Sequence, residues 1–181
     1  MTPTEPGTTG VHLRPVTLDN LRQCLALQVA GEQAGIVASN ATSLAEAQVN
    51  PALVPLAIYD MAARGWEHDP PAPMVGFAMY ELAAGVGFIL RLMIDQSYQG
   101  KGYGRAAVIE MIRRLRLHPE VEMIATSHRR DNNRAAALYR GLGFVAWDIG
   151  YTGDNPDEIY LMLPAGLETP RLFRTESSPG Q

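Results

Sequence analysis

The chain has 181 residues, of which 46% are hydrophobic, and this length predicts one domain with a substantial core rather than two large domains. A net charge of −4 disfavours nucleic acid as a partner, and no apolar run reaches the roughly eighteen residues of a membrane span. The lone Cys24 excludes an intrachain disulfide, and residues 1–10 lack the pattern of a secretion signal, so a cytoplasmic protein is expected. The four histidines show no metal-ligand spacing, so no metal site is expected.

The first half of the chain alternates between strand-like and helix-like patterns. Leucines that share one face predict a helix over residues 18–27. Ser43 and Glu46 fit a capping box that opens a second helix, and Pro51 is expected to stop it. Apolar runs bounded by turn residues predict strands at 11–14, 54–61 and 74–82. The last two strands are expected to pair across the polar, proline-rich segment 64–73.

The second half continues this alternation around one amphipathic helix, which is expected to end before Pro119 and to pair Glu110 with Arg114. The inward face of this helix carries Val108, Met111, Ile112 and Leu115. Further strands are predicted at 87–95, 121–127, 144–150 and 158–163. The tails at 1–9 and 168–181 are rich in Pro, Gly, Thr and Ser, which predicts disorder on either side of a single domain at 10–167.

A glycine-rich loop joins the strand at 87–95 to the amphipathic helix. It consists of Gln99, Gly100, Lys101, Gly102, Tyr103, Gly104 and Arg105. Because glycine has no Cβ to keep a ligand off the main chain, backbone N–H groups and the helix N-terminus can converge here on phosphate oxygens. The spacing excludes an ATP-type loop, and Arg105 stands where a dinucleotide fingerprint needs its third glycine. The loop therefore predicts a diphosphate site of another kind.

A second motif occupies residues 132–144. Its apolar residues recur at three- and four-residue spacing, which predicts a short helix with one apolar face. Asp131 or Asn132 can cap the start of this helix, and Gly141 or Gly143 can end it.

The loop pattern of Gln99, Gly102 and Gly104, followed by Asn132 and Tyr139, resembles the two signature motifs of the GNAT acetyltransferase superfamily. The resemblance implies an α/β fold (α+β mixed sheet) with about seven mostly antiparallel strands, splayed at the acetyl-coenzyme A site, and about four helices. It also implies that acetyl-coenzyme A is the cosubstrate and that the loop residues 99–105 hold its diphosphate.

The same resemblance assigns the rest of the donor site. The backbone of Leu92, Met93 and Ile94 would bind the pantetheine amides and orient the acetyl carbonyl. Asn132 would contact the pantetheine arm, and Tyr139 would lie near the thioester sulfur.

Acyl transfer to nitrogen makes two demands on such a site. An alkyl ammonium, with an unperturbed pKa of about 10, must lose a proton before it attacks, so a base or a water relay is needed. The leaving thiolate benefits from a proton donor, for which Tyr139 is the candidate. Relatives often carry a glutamate on the strand before the loop, but this strand has Arg91, so the catalytic carboxylate stays open among Glu32, Glu81 and Glu158.

A longer similarity resembles the bacterial diamine and spermidine acetyltransferase branch. It covers residues 31–40, 43–47, 57–59, 75–80 and 91–95. It implies a polyamine or diamine acceptor in an acidic, partly aromatic groove, for which the candidates are Glu32, Gln33, Tyr80, Glu81 and Glu158. An amino acid, an aminoglycoside-like antibiotic or a protein N-terminus stays open as acceptor, as does a non-catalytic module that binds coenzyme A. Dimers are frequent in the family, so the resemblance leaves both a homodimer and a monomer open.

Overall fold

The computed structural model describes residues 9–31, 35, 38–61, 73–148 and 156–164. Its strands are β1 (Val11–Pro15), β2 (Leu53–Asp60), β3 (Met74–Ala83), β4 (Val86–Ile94), β5 (Met123–Arg129), β6 (Val145–Ala146) and β7 (Glu158–Leu163). Its α-helices are α1 (Leu21–Ala26), α2 (Asn40–Val49), α3 (Tyr103–Leu115) and α4 (Asn133–Arg140). None of the helices in these ranges is long and apolar enough to cross a membrane.

The seven strands form one mixed sheet in the order β1-β2-β3-β4-β5-β7-β6. Neighbouring strands are antiparallel except β4 and β5, which are parallel and connected through α3, as parallel neighbours require. One face of the sheet packs on α3 and α4, with Val108, Met111 and Tyr139 in its core. The other face packs around Cys24 and Phe77 and is covered by α1 and α2. The predicted mixed α/β architecture is confirmed.

Two predicted pairings of polar side chains are wrong. α2 has Ser39 as its N-cap, so the capping box predicted at Ser43 lies inside the helix, because Ser39 supplies the same chemistry one turn earlier. In α3, Glu110 forms its ion pair with Arg113, at 2.6 Å, instead of Arg114. Arg114 reaches instead to a backbone carbonyl of β1, at 3.4 Å.

The N-terminal segment touches the glycine loop. Thr9 falls in a tail predicted to be disordered, but its hydroxyl donates a hydrogen bond to Lys101 O at 2.7 Å. Residues 1–8 and 165–181 lie outside the described residues. The prediction of disordered tails and the boundaries of the single domain at 10–167 therefore stay predictions.

Candidate functional site

The sheet opens between β4 and β5. The two strands pair only from Val86 to Ile89 on β4, although β4 continues to Ile94 and β5 to Arg129. A bulge at Leu90 shifts the register between β3 and β4 at the point where β5 departs, and a bulge increases local twist. The divergence leaves a cleft of about 760 Å³, within the range usual for ligand sites. Beyond Ile89, no described strand lies along the β5 side of β4, so its main-chain groups face the cleft.

The glycine loop and the start of α3 form one end of this cleft. Gly100 and Gly102 have φ values of 76° and 88°, which a residue with a Cβ adopts only with strain. No side chain of the described residues caps α3, and Ala106 N–H donates the first helical bond, to Gly102 O at 3.1 Å. The N–H groups of residues 103–105 are therefore available at the positive end of the helix dipole, where an anion binds most favourably.

Two loop residues direct the polar ends of their side chains to other parts of the protein. Lys101 Nζ donates to Ser97 O at 2.9 Å and lies 5.3 Å from the centre of the Tyr98 ring. The Tyr103 hydroxyl donates to Asp60 Oδ2 at 2.7 Å. Desolvation, followed by this hydrogen bond and the Asp60 charge, raises the pKa of Tyr103 to about 12. Of the described residues in the loop, Lys101 is the one that does not line the cleft.

Gln99 connects the loop to both walls of the cleft. Its Nε2 donates to Ile94 O at 3.0 Å, and its Oε1 accepts from Arg134 Nη1 at 2.9 Å. Arg105 reaches from α3 to Gly141 O at 3.0 Å. Both arginines line the cleft, so they add positive charge at the end where the α3 amides are open.

The N-terminal half of the second motif forms the opposite wall. Asn132 is the N-cap of α4, and its Oδ1 accepts from Ala135 N–H at 3.0 Å. This leaves Nδ2 as the group with which Asn132 can donate to a ligand. Tyr139, one of the predicted site residues, also lines the cleft and is only 5% exposed.

The environment of the Tyr139 phenol keeps it protonated. Burial raises the pKa of Tyr139, and a hydrogen bond with the Thr126 side chain opposes part of that effect. The ring packs edge-on against Phe144, with 5.4 Å between centroids. At neutral pH this phenol therefore carries a proton that it can donate into the cleft.

Only one of the predicted acceptor-site carboxylates is seen at the cleft. Glu158 lines it, and its Oε2 is buried without a hydrogen-bond partner among the described residues. Tyr160, two positions along β7, pairs its ring with Phe88 at 6.4 Å. All three residues line the cleft, and a carboxylate and aromatic rings that share one cleft suit an ammonium group.

The structure does not bring Tyr80 and Glu81 to the cleft. Tyr80 is 3% exposed and packs against His118 in the core on the α3 side of the sheet, so it does not line a groove. Glu81 lies beside Phe88 in the β3–β4 register but is absent from the described cleft lining. Both belong to β3, which β4 separates from the opening. Glu32 and Gln33 lie outside the described residues.

Arg91 lies on β4, the strand on which relatives often carry a glutamate as the base. Its Nη2 lies 3.4 Å from Glu46 Oε2, and its Nη1 donates to Leu90 O at 3.2 Å. Arg91 thus connects α2 to the bulge of β4. A guanidinium stays protonated, so Arg91 positions this wall and does not accept the proton of an amine.

Sequence reasoning missed two polar residues on β5. His128 lines the cleft at 8% exposure, with Nδ1 2.8 Å from Arg129 O, and Thr126 is fully buried and outside the described cleft lining. Both lie on the same face of β5 as Ile124. Polar residues at alternating positions of an otherwise apolar strand were the available signal.

Sequence comparison identifies relatives of the chain. Residues 56–144 match the acetyltransferase (GNAT) family. The spermine/spermidine N(1)-acetyltransferase of Bacillus subtilis (strain 168) is 30% identical over 142 residues, which span 74% of this chain and 87% of that protein.

Solved structures share the fold at low sequence identity. The PaiA N-acetyltransferase of Thermoplasma acidophilum, in complex with coenzyme A, is 15% identical with a TM-score of 0.60, over 85% of this chain and 98% of that one. A spermidine N-acetyltransferase SpeG chimera from Vibrio cholerae and hSSAT is 16% identical with a TM-score of 0.60, over 84% and 93% of the two chains. At these identities the likeness concerns the fold.

Proposed function

The chain belongs to the GNAT acetyltransferase family and is an N-acetyltransferase, and on that premise we propose that it acetylates a primary amine of a polyamine or diamine. Acetyl-coenzyme A is the proposed donor, and both substrates bind together before the amine attacks the thioester directly. The observation that carries the proposal is the cleft between β4 and β5, which has amides for an anion at one end and Glu158 and two aromatic rings in its lining.

The donor half of the proposal rests on three features of the cleft. The amides of residues 103–105 suit the diphosphate of coenzyme A. The free edge of β4 at residues 90–94 offers main-chain groups to the amides of the pantetheine arm. Asn132 Nδ2 and the Tyr139 hydroxyl lie on the facing wall, where they would contact the arm and the sulfur.

The acceptor half rests on the Bacillus subtilis relative and on Glu158. The relative is a spermine/spermidine N(1)-acetyltransferase by name, and the matched region spans 87% of it. A buried carboxylate oxygen without a partner is costly. An ammonium of the acceptor would supply that partner, and the Phe88 and Tyr160 rings would stabilise the same cation.

The described residues would then handle two protons during transfer. Glu158 accepts the proton of the acceptor ammonium, directly or through water, and so frees the lone pair that attacks the thioester carbonyl. A main-chain N–H of β4 near Met93 stabilises the negative oxygen of the tetrahedral intermediate. Tyr139 donates its proton to the leaving sulfur of coenzyme A, whose free thiol has a pKa of about 8.5.

The first test is release of free thiol from acetyl-coenzyme A at about pH 8, where the acceptor amines are partly deprotonated. We expect strong turnover with spermidine, spermine and putrescine, and little with amino acids, aminoglycosides or short peptides. Initial rates with both substrates varied should give intersecting lines, because no acetyl-enzyme forms. Activity confined to a different amine would contradict the proposed acceptor, and parallel lines would contradict the ternary complex.

Glu158→Gln is expected to lower kcat/KM for spermidine by roughly 10²-fold, because the amide neither accepts the proton nor pairs with the ammonium. Binding of acetyl-coenzyme A, followed by calorimetry, should stay within about twofold of wild type. Glu122→Gln serves as the matched control, since Glu122 is exposed and lies outside the cleft. If Glu81→Gln causes the loss and Glu158→Gln does not, the role given to Glu158 is wrong.

A further inference from the structure

His128 and Asn132 are tied to the same main-chain oxygen where β5 leads into α4. His128 Nδ1 lies 2.8 Å from Arg129 O, and Asn132 N–H donates to that oxygen at 2.9 Å. A carbonyl oxygen has two lone pairs and no proton, so it accepts both bonds. Both side chains line the cleft. This short segment therefore holds an imidazole and a carboxamide together on one wall of the cleft.

The bond to Arg129 O sets the chemistry of the other ring nitrogen of His128. Because a carbonyl only accepts, Nδ1 carries the proton of this bond. In the neutral imidazole the lone pair then lies on Nε2, which accepts a hydrogen bond. Nε2 has no polar partner among the described residues, and the side chain is 8% exposed. A nearly buried acceptor of this kind is costly until a donor reaches it.

His128 lies on the side of the sheet that carries Tyr139. It is opposite Ile159 in the β5–β7 register, and Ile159 packs against the core cluster that includes Tyr139. Directly opposite residues share a face, and successive residues of a strand alternate between faces. Glu158, the neighbour of Ile159, therefore projects to the other face. His128 is thus separated by the sheet from the carboxylate proposed to deprotonate the acceptor, which favours a role toward the donor.

The free groups on this wall match one secondary amide. Asn132 Oδ1 already accepts from Ala135 N–H at 3.0 Å, so its Nδ2 is left to donate, and His128 Nε2 is left to accept. A secondary amide offers a carbonyl to the first group and an N–H to the second. The pantetheine arm of coenzyme A contains two such amides. An ionised phosphate has only acceptor oxygens and would leave Nε2 without a donor.

We propose that His128 is a binding residue for the pantetheine arm: its Nε2 accepts a hydrogen bond from an amide N–H of the arm, while Asn132 Nδ2 donates to an amide carbonyl. This inference rests on the proposed function, in which acetyl-coenzyme A is the donor. It adds a side-chain acceptor on the wall that faces the free edge of β4. No proton is transferred at His128, so its contribution is to affinity.

His128→Asn tests the proposal, because asparagine keeps an N–H near the Nδ1 position for Arg129 O but does not extend to the Nε2 position. In calorimetry at about pH 8, where an ordinary histidine is neutral, we expect affinity for coenzyme A to fall roughly 5- to 10-fold, the effect of one hydrogen bond. His128→Gln, whose amide oxygen extends to the Nε2 position, should bind within about threefold of wild type. Wild type and both variants should bind 3′-phosphoadenosine 5′-diphosphate equally, because this ligand lacks the pantetheine arm.

Unchanged affinity of His128→Asn for coenzyme A would overturn the role of His128. An equal loss for the ligand without the arm would overturn it too, because the effect would then lie in the fold or at the diphosphate end. A kcat with spermidine that falls more than about tenfold, with affinity unchanged, would place His128 in proton transfer instead. If His128→Asn does not fold, His128→Met against His128→Gln makes the same comparison, since the two are of similar length and only glutamine has the acceptor.

The binding measurements separate this inference from the proposed function. Calorimetry with coenzyme A needs no acceptor amine, so it reports on His128 whichever amine the enzyme uses. Failure of spermidine, spermine and putrescine as substrates would overturn the proposed acceptor and leave the expected affinities unchanged. Loss of the difference between His128→Asn and His128→Gln would overturn the role of His128 and leave the proposed acceptor intact.

Discussion

Gly102→Val is expected to abolish binding of coenzyme A, with a loss of affinity above about 10²-fold in calorimetry. Gly102 is the N-cap of α3 with φ at 88°, and a Cβ there costs roughly 1–2 kcal/mol in strain. Its Cβ would also lie 3.3 Å from the Thr9 hydroxyl, which is bonded to Lys101 O. The strain shifts the main chain that presents the amides of residues 103–105, and the branched side chain fills space beside them.

Gly85→Val is the matched control for this change. Gly85 has φ at 79° in the turn between β3 and β4, outside the cleft, so valine there imposes similar strain. Both variants should lose comparable thermal stability, but only Gly102→Val should lose coenzyme A. Unchanged affinity in Gly102→Val would show that the loop does not hold the diphosphate. Equal loss of affinity in both variants would assign the effect to general destabilisation.

Tyr139→Phe is expected to lower kcat for acetyl transfer to spermidine by about 10²- to 10³-fold, the range that general acids contribute. The variant lacks the phenol that would donate a proton to the leaving thiolate. Phenylalanine keeps the packing against Phe144, and Thr126 keeps its bond to Ile89 O, so no described buried group is left unpaired by the change. Initial rates of thiol release measure the change in kcat, and calorimetry with coenzyme A measures any change in affinity.

Tyr59→Phe is the control for the loss of a phenol. Tyr59 lies on β2, outside the cleft, and burial raises its pKa as it does that of Tyr139. Its removal should leave kcat within about twofold of wild type. A similar kcat for Tyr139→Phe and wild type would exclude the phenol as the acid. A large loss of coenzyme A affinity in Tyr139→Phe would make it a binding residue instead.

Sequence reasoning could not decide which candidate glutamate lies at the cleft. Glu81 and Glu158 each lie near one end of a predicted strand, and no local sequence pattern distinguishes them. The strand order separates them, because β7 pairs with β5 at the cleft, whereas β3 lies behind β4. Tyr80 was misplaced for a related reason: its side of β3 faces α3 and the core, which depends on the register across the bulge in β4.

The sequence by itself determined the position of the glycine loop and the order of the elements. Glycines that tolerate positive φ, a helix that follows their loop and a polar residue at 131 or 132 that can cap the Tyr139 helix act over a few residues, so spacing reveals them. Periodicity likewise predicted β7 at residues 158–163, where the structure has it.

Only the tertiary structure decided which side chains meet in the cleft. The bulge at Leu90, the end of pairing at Ile89 and Thr126, and the folding back of Lys101 onto Ser97 all arise from contacts that the local pattern does not contain. The physical reason is that a strand residue faces one side or the other according to its register with a distant strand, and a shift of one residue reverses the side.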